Sequence, residues 1–318
     1  MQKFSYFCPV RSFFYALCVA LCILCTGCVR GGKKTAEASS LPFSFKLPSP
    51  PSLMDPSAAE GWLCDHYWDN FDFSDTSIPQ RLDSSSFGVF FMNYAILLSK
   101  QPDGGVEAMT GLMGKASASP EMLELFSGIS RQVFWDPNSQ LRNDNLYLPV
   151  LEARAGSPLL DDSERERAAE TAELAVRNRE GTPAEDFGYL TVQGRPGSLY
   201  GISAPYTLIF FNNPGCAMCR DIREKMLQSP IIPEMVADGR LAVLALYPDE
   251  DTGLWLSYKD EIPSDWINAR DPGSTISESR LYDLKAIPSL YLLDADKIVL
   301  LKDCTDVLRL EAELSKNR

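Results

Sequence analysis

The chain has 318 residues, 45% of them hydrophobic, 23% charged and 10% aromatic, which is enough for one large domain or two. Its 30 basic and 43 acidic residues leave a net charge of −13. No basic tract offsets that charge, which argues against a nucleic-acid binder. The single histidine, His66, excludes most histidine-based chemistry: a Ser-His-Asp triad, a Cys-His protease or a multi-histidine zinc site would each depend on that one residue. Residues 1–27 contain Lys3 and Arg11, no acid, and the apolar run Ser12–Leu24. That run is short for a membrane span and suits the core of a secretory signal.

Cys25-Thr26-Gly27-Cys28 follows. Small residues directly before a cysteine resemble the lipobox of bacterial lipoproteins, although Cys25 stands where leucine is usual. The resemblance implies that residues 1–27 are removed, that Cys28 is the lipid attachment site, and that the protein is a periplasm-facing membrane lipoprotein. Several acyl chains on one cysteine hold a protein on a membrane stably. Loss of residues 1–27 takes two basic residues and leaves −15, so the acidic body should stand away from an anionic membrane. Residues 28–54, with Gly31, Gly32, Ser39, Ser40, Pro42, Pro48, Pro50 and Pro51, read as a flexible tether. Of nine cysteines, Cys64, Cys216, Cys219 and Cys304 then remain as thiols in an oxidising compartment.

No internal repeat is visible. Residues 55–181 read as a helical domain. Phe87, Phe90, Phe91, Tyr94, Leu97 and Leu98 make one apolar helix face. Pro120 opens a second helix, with Met122, Leu123, Phe126, Ile129, Val133 and Phe134 on one side, ending near Asp136-Pro137. Ser163 to Glu166 reads as a capping box that starts a charged helix reaching about Arg179. After Gly181 the rhythm changes. Residues 187–202 read as a hairpin, and Tyr206–Phe211, Leu241–Tyr247, Ser289–Asp294 and Lys297–Leu301 as strands. Helices are expected over 217–228, 254–261, 278–284 and 307–317. Strands alternating with helices indicate an α/β layer fold for residues 182–318.

Cys216-Ala-Met-Cys219 joins the first buried strand to a helix. A thiol at a helix start lies beside unpaired backbone N–H groups and the positive end of the dipole, which favours the thiolate of Cys216. Cys219, one turn later, is placed to attack a mixed disulfide on Cys216. Other readings stay open. A CxxC can be half of a zinc site, but only His66, Cys64 and Cys304 remain as further ligands, all remote in sequence. It can be a structural disulfide. A peroxidatic cysteine is a further option, since Pro214-Gly215 resembles peroxiredoxin loops, although the usual Thr and Arg partners are not recognisable. His66 reads as a packed helix residue. Cys64 and Cys304 read as buried thiols, with a disulfide between them as the alternative, and Trp255 and Trp266 as core residues or as one wall of the site.

Residues 182–318 resemble the thioredoxin fold of the TlpA/ResA type, the membrane-tethered thioredoxins of bacterial envelopes. The matching residues are Ala184-Glu-Asp-Phe187, Tyr206–Phe211 leading into the CxxC, Leu244–Tyr247, and Leu281-Tyr-Asp-Leu-Lys-Ala-Ile-Pro288-Ser-Leu-Tyr-Leu-Leu-Asp294. The resemblance implies a central mixed sheet flanked by helices, and a cis Ile287–Pro288 bond lying against the CxxC and shaping a substrate groove. Residues 55–181 are similar to an uncharacterised helical domain that precedes such domains in Gram-negative lipoproteins. The matches there are His66-Tyr-Trp-Asp-Asn-Phe-Asp-Phe73, Asp136-Pro-Asn-Ser139 and Arg142-Asn-Asp-Asn-Leu-Tyr147. One departure matters: Phe210 occupies the place where many thioredoxins bury an aspartate that takes a proton from the resolving thiol, and Glu185 or Asp186 is the nearest apparent substitute. The implied function is thiol–disulfide exchange on envelope proteins, with Cys216 attacking and Cys219 resolving. It requires no cofactor and no metal, and a membrane-linked dithiol would donate the electrons. The alternative is a non-catalytic envelope binding or scaffold lipoprotein whose CxxC is structural or redox-sensing.

Overall fold

A computed structural model describes residues 45–101 and 104–316; the signal-like segment, Cys28 and the tether up to residue 44 lie outside the described residues. The described residues fall in one compact unit. Its first part is helical: α1 (Pro56–His66), α2 (Ile78–Arg81), α3 (Ser84–Ser99), α4 (Gly104–Ala116), α5 (Pro120–Ser130), a π turn (Arg131–Trp135), α6 (Asp144–Ala155) and α7 (Asp162–Val176). The starts are set by side chains that accept otherwise unpaired N–H groups: Asp83 from Ser86, Ser119 from Met122, and Asn143 from Asn145 and Leu146. The capping box lies two residues earlier than expected. The Asp161 carboxylate accepts the Glu164 N–H at 2.8 Å and Glu164 accepts the Asp161 N–H at 3.2 Å, so Ser163 and Glu166 are already inside α7.

Burial in this region is aromatic. Tyr67, Trp68, Phe71, Phe87, Phe91, Tyr94, Phe126 and Phe134 share one cluster, with Trp68 edge-on to Phe126 at 5.0 Å between centroids. Phe45, within the span read as a tether, stacks on Trp68 at 5.3 Å. Cys64 is a free thiol in the same cluster, and burial pushes its pKa up to about 11. His66 stacks on Trp62 and bonds Asp69 at 2.6 Å.

The second part is a seven-stranded mixed sheet: β1 (Gly188–Thr191), β2 (Pro196–Ser198), β3 (Tyr206–Phe211), β4 (Leu241–Tyr247), β5 (Ile267–Arg270), β6 (Ser289–Leu293) and β7 (Val299–Leu301). The spatial order is β2-β1-β5-β4-β3-β6-β7, with β3–β4 and β4–β5 parallel and the other pairs antiparallel. Strands covered on both faces have no polar side to show, so β3, β4 and β6 are apolar apart from the buried Thr207 and Ser289. Five helices accompany the sheet: α8 (Ala217–Gln228), α9 (Ile232–Ala237), α10 (Thr252–Ser257), α11 (Thr275–Glu278) and α12 (Val307–Ser315). Alternation along β3 divides its side chains. Leu208 and Phe210 join Cys219 and Ile222 of α8, Met235 of α9 and Leu310 of α12. Ile209 and Phe211 join Phe187, Leu199, Ile276 and Tyr282 on the opposite face.

Three expectations change. The helix expected over 254–261 divides into α10 and a 3₁₀ turn at Lys259–Glu261. The helix expected over 278–284 is absent: α11 stops at Glu278, Arg280 takes φ +49°, and the chain runs irregularly to Pro288. Its carbonyls are bound from outside instead, Ser279 and Arg280 by Arg177 and Leu281 by Asn178. Strand β5 was not anticipated; it has four residues, of which Asn268 and Arg270 are polar. At the turn between β6 and β7, Lys297 has φ +63° and is 3% exposed. Its Nζ donates to the Ile202 carbonyl at 2.9 Å and to Thr207 Oγ1 at 3.2 Å. Burial pushes this ammonium below its ordinary 10.5, against the pull of Asp294 and Asp296.

Candidate active site

The end of β3 turns through Asn212, Asn213, Pro214 and Gly215 into α8. Gly215 takes φ +71°, a conformation that side-chain-bearing residues adopt at a cost, and a Cβ there would meet the Tyr258 hydroxyl at 3.5 Å. The turn leaves Cys216 as the N-cap of α8. Its Sγ accepts the Cys219 N–H at 3.1 Å, a contact that a negatively charged sulfur retains. Cys216 is half-buried and Cys219 buried, and neither is in a disulfide. Burial, and then the hydrogen bond to Cys216, push the Cys219 pKa up to about 12, so this thiol is protonated at neutral pH.

Across from α8 the Ile287–Pro288 bond is cis, as the resemblance implies, and the Ile287 carbonyl lies 3.9 Å from Cys216 Sγ. The structure therefore brings Cys216, Cys219, Ile287 and Pro288 to one place. Cys28, the lipid site expected from sequence, lies outside the described residues.

Beside the cysteines is a cavity of about 260 Å³ lined by Asn212 to Cys216, Cys219, Arg220, Arg223, Trp255, Tyr258, Glu261, Ile262 and Asn268. Trp255 forms part of its wall and bonds Asn268 at 3.1 Å. Trp266 instead packs edge-on against Phe210 in the core below. Glu261 supplies the one carboxylate that lines this cavity, and Arg223 holds it at 2.9 Å. Glu185 and Asp186 do not reach the site. They belong to the segment on the other sheet face, where the Glu185 carbonyl accepts the Tyr282 hydroxyl and Asp186 accepts the Phe187 and Tyr200 N–H groups. Sequence reasoning missed Arg223, Glu261 and Tyr258. Arg223 carries a local signal, since it stands four residues after Cys219 on one helix face. Glu261 is 42 residues from Cys219 and only the fold brings it there.

Cys304 is a buried free thiol in the core that holds Phe210, whereas Cys64 belongs to the helical cluster, so the two do not pair. Among the described residues no group of three or more His, Cys, Asp or Glu is placed to hold a metal ion.

A thioredoxin-like protein from Bacteroides caccae is 37% identical, superposes with a TM-score of 0.83, and the match covers 87% of this chain and 99% of that one. The chain belongs to the thioredoxin-like proteins. Its residues 29–178 match a family described as a domain of unknown function (DUF5106). The C-terminal domain of an uncharacterised protein from Bacteroides fragilis is 42% identical over 44% of this chain and 99% of that one, at a TM-score of 0.43. A domain of a possible thiol-disulfide isomerase from Cytophaga hutchinsonii is 24% identical over 45% of this chain and 99% of that one, at a TM-score of 0.36. No curated protein matches. In this thioredoxin-like chain the position of the usual buried acid is filled by Phe210, fully buried and packed on Trp266.

Proposed function

We propose that this thioredoxin-like protein is a thiol–disulfide oxidoreductase acting on envelope proteins through Cys216 and Cys219. The observation that carries the reading is the half-buried Cys216 Sγ at the start of α8, facing the Ile287 carbonyl of the cis-proline loop, with the buried Cys219 thiol one turn behind. The Cys216 thiolate attacks one sulfur of a protein disulfide, forms a mixed disulfide and releases the other sulfur as a thiolate. Cys219 then loses its proton, attacks Cys216 Sγ and displaces the second substrate thiolate. Two electrons pass to the substrate and the Cys216–Cys219 disulfide remains. Glu261, which lines the same cavity as Cys219, is the candidate acceptor for the Cys219 proton. A carboxylate held by Arg223 there supplies what Phe210 lacks.

The setting we propose for it is an envelope one: Cys28 carries the lipid, the body faces the periplasm, and a membrane-linked dithiol restores the reduced pair. The apolar run, Thr26-Gly27 and the CxxC support this. The test is trapping. In cells, Cys219→Ser should accumulate mixed disulfides through Cys216, and Cys216→Ser should not. Absence of trapped partners with both variants, together with no reduction of insulin by the wild type, sinks the enzyme reading and leaves a scaffold.

A further inference from the structure

The segment that leads into the cis-proline has no secondary structure of its own between Ser279 and Pro288. Tyr282 ties it to the sheet region through the Glu185 carbonyl, and its other anchors come from the helical region. Arg177 Nη1 donates to the Ser279 and Arg280 carbonyls at 3.2 and 2.8 Å, and Asn178 Nδ2 to the Leu281 carbonyl at 2.8 Å. Arg280 pairs with Glu170 of α7 at 3.0 Å. The deepest anchor is Lys285. Its Nζ lies 2.9 Å from Asp144 Oδ1 at the start of α6, 2.7 Å from Asp283, and 3.5 Å from the ring centroid of Trp135. The other oxygen of Asp144 is 3.1 Å from Lys302, which also donates to the Ala175 and Arg177 carbonyls at the end of α7. Arg142 pairs with Asp303 at 2.7 Å.

This group balances three carboxylates against three cations in a buried setting; the Lys285 and Lys302 side chains are 7% and 9% exposed. Exposed ion pairs tolerate many geometries, but buried ones are stable only when each charge keeps its partners, so the arrangement is rigid. Lys285 is two residues from Ile287, whose carbonyl faces Cys216. A displacement of Lys285 is carried along the chain to the groove edge.

We propose that the helical region braces the cis-proline loop, with Asp144 as the positioning residue that sets the groove in which a protein disulfide lies against Cys216. This rests on the thiol–disulfide reading given above. Asp144 touches no reacting atom. It acts through Lys285, so it governs how an extended polypeptide is held and not how sulfur attacks sulfur.

The test uses the full chain with Asp144→Asn, Asp144→Glu and Lys285→Met. Lys285→Met keeps the Asp144–Lys302 pair and a stem on Trp135 but strands the Asp283 carboxylate, so Lys285→Met is also made with Asp283→Asn, which removes that charge. Both Asp144→Asn and Lys285→Met should raise KM for insulin about tenfold with kcat unchanged. Asp144→Glu should restore most of the loss. Amide hydrogen–deuterium exchange over 279–290 should speed up about tenfold in the same two variants, with β4 unaffected. An unchanged KM and unchanged protection in Lys285→Met overturns the brace. So does a fall in kcat that tracks global melting in every variant. If the wild type fails to reduce insulin, the exchange reading has failed on its own, and the deuterium result alone decides the brace.

Discussion

The helical region and the sheet region bury apolar surface in different ways, and the contrast separates stability from chemistry. In the helical region the aromatic cluster is continuous from Phe45 to Phe134, drawing on α3, α5, the π turn and the non-helical stretch from Tyr67 to Phe71. In the sheet region the core is mostly aliphatic and split by the sheet into two layers. One layer opens at the β3–α8 turn, where Cys219 stands between Phe210 and the cavity that holds Glu261. A closed aromatic core offers nothing to a substrate, whereas a layered one has an edge where a thiol can be half in and half out. The helical region meets that edge through polar contacts, among them the Asp144–Lys285 pair and the Arg177 and Asn178 hydrogen bonds to residues 279–281.

The largest expected effect breaks the closed side. Phe126→Ala should cost about 3–5 kcal/mol, because a fully buried ring leaves a cavity among Trp68, Phe71 and Phe87. Urea unfolding should show this loss, while exchange per folded molecule stays at the wild-type rate. Asp144→Ala strikes the charged junction. It leaves two buried ammoniums short of a partner and should cost about 3 kcal/mol by urea unfolding. Residues 182–318 alone, which the sequence reading expects to fold, should show a similar deficit against the full chain.

Glu261→Gln sharpens the open side. Resolution of a mixed disulfide on Cys216 should slow about 10²-fold, with the first attack unchanged, when followed by stopped-flow at pH 7. Equal rates in both steps would remove Glu261 from the mechanism. The smallest effect is in pH. Burial alone would raise the Asp144 pKa, but Lys285 and Lys302 outweigh it and hold the carboxyl below 3.8. Its stabilising contribution is therefore present above pH 3.8 and lost as pH falls through the lower folded value. Burial raises Asp303 despite Arg142, so its contribution runs the other way, present below pH 3.8 and lost as pH rises through the folded value. Thermal melts from pH 7 to pH 3 should show wild type losing more than Asp144→Asn below pH 3.8, with little difference above pH 5.

Much of this was legible because it is local. Tyr206–Phe211 and Leu241–Tyr247 announce buried strands by their apolar runs, and Ala217–Gln228 follows the CxxC as a helix. The cysteine pair needs only adjacent residues. The segment after Glu278 was misread because its residue pattern suits a helix, while its conformation is decided by Arg177 and Asn178 on another element. Strand β5 escaped notice because short polar residues pair there only through β4 and β1. Glu261 and Asp144 were invisible for the same reason: each meets its partner far away in sequence, Glu261 lining a cavity with Cys219 and Asp144 pairing with Lys285.

Lys297 makes the sheet region self-reporting. At 3% exposure Lys297 is out of reach of an acylating reagent in the closed state and becomes reactive only on opening. Its labelling rate then measures how often the β6–β7 turn lets go of the Ile202 carbonyl and the Thr207 hydroxyl. The protein thus carries its own chemical clock for opening of the sheet, at a residue outside the cavity beside the cysteines, so that breathing of the scaffold and chemistry at sulfur can be timed separately in one sample.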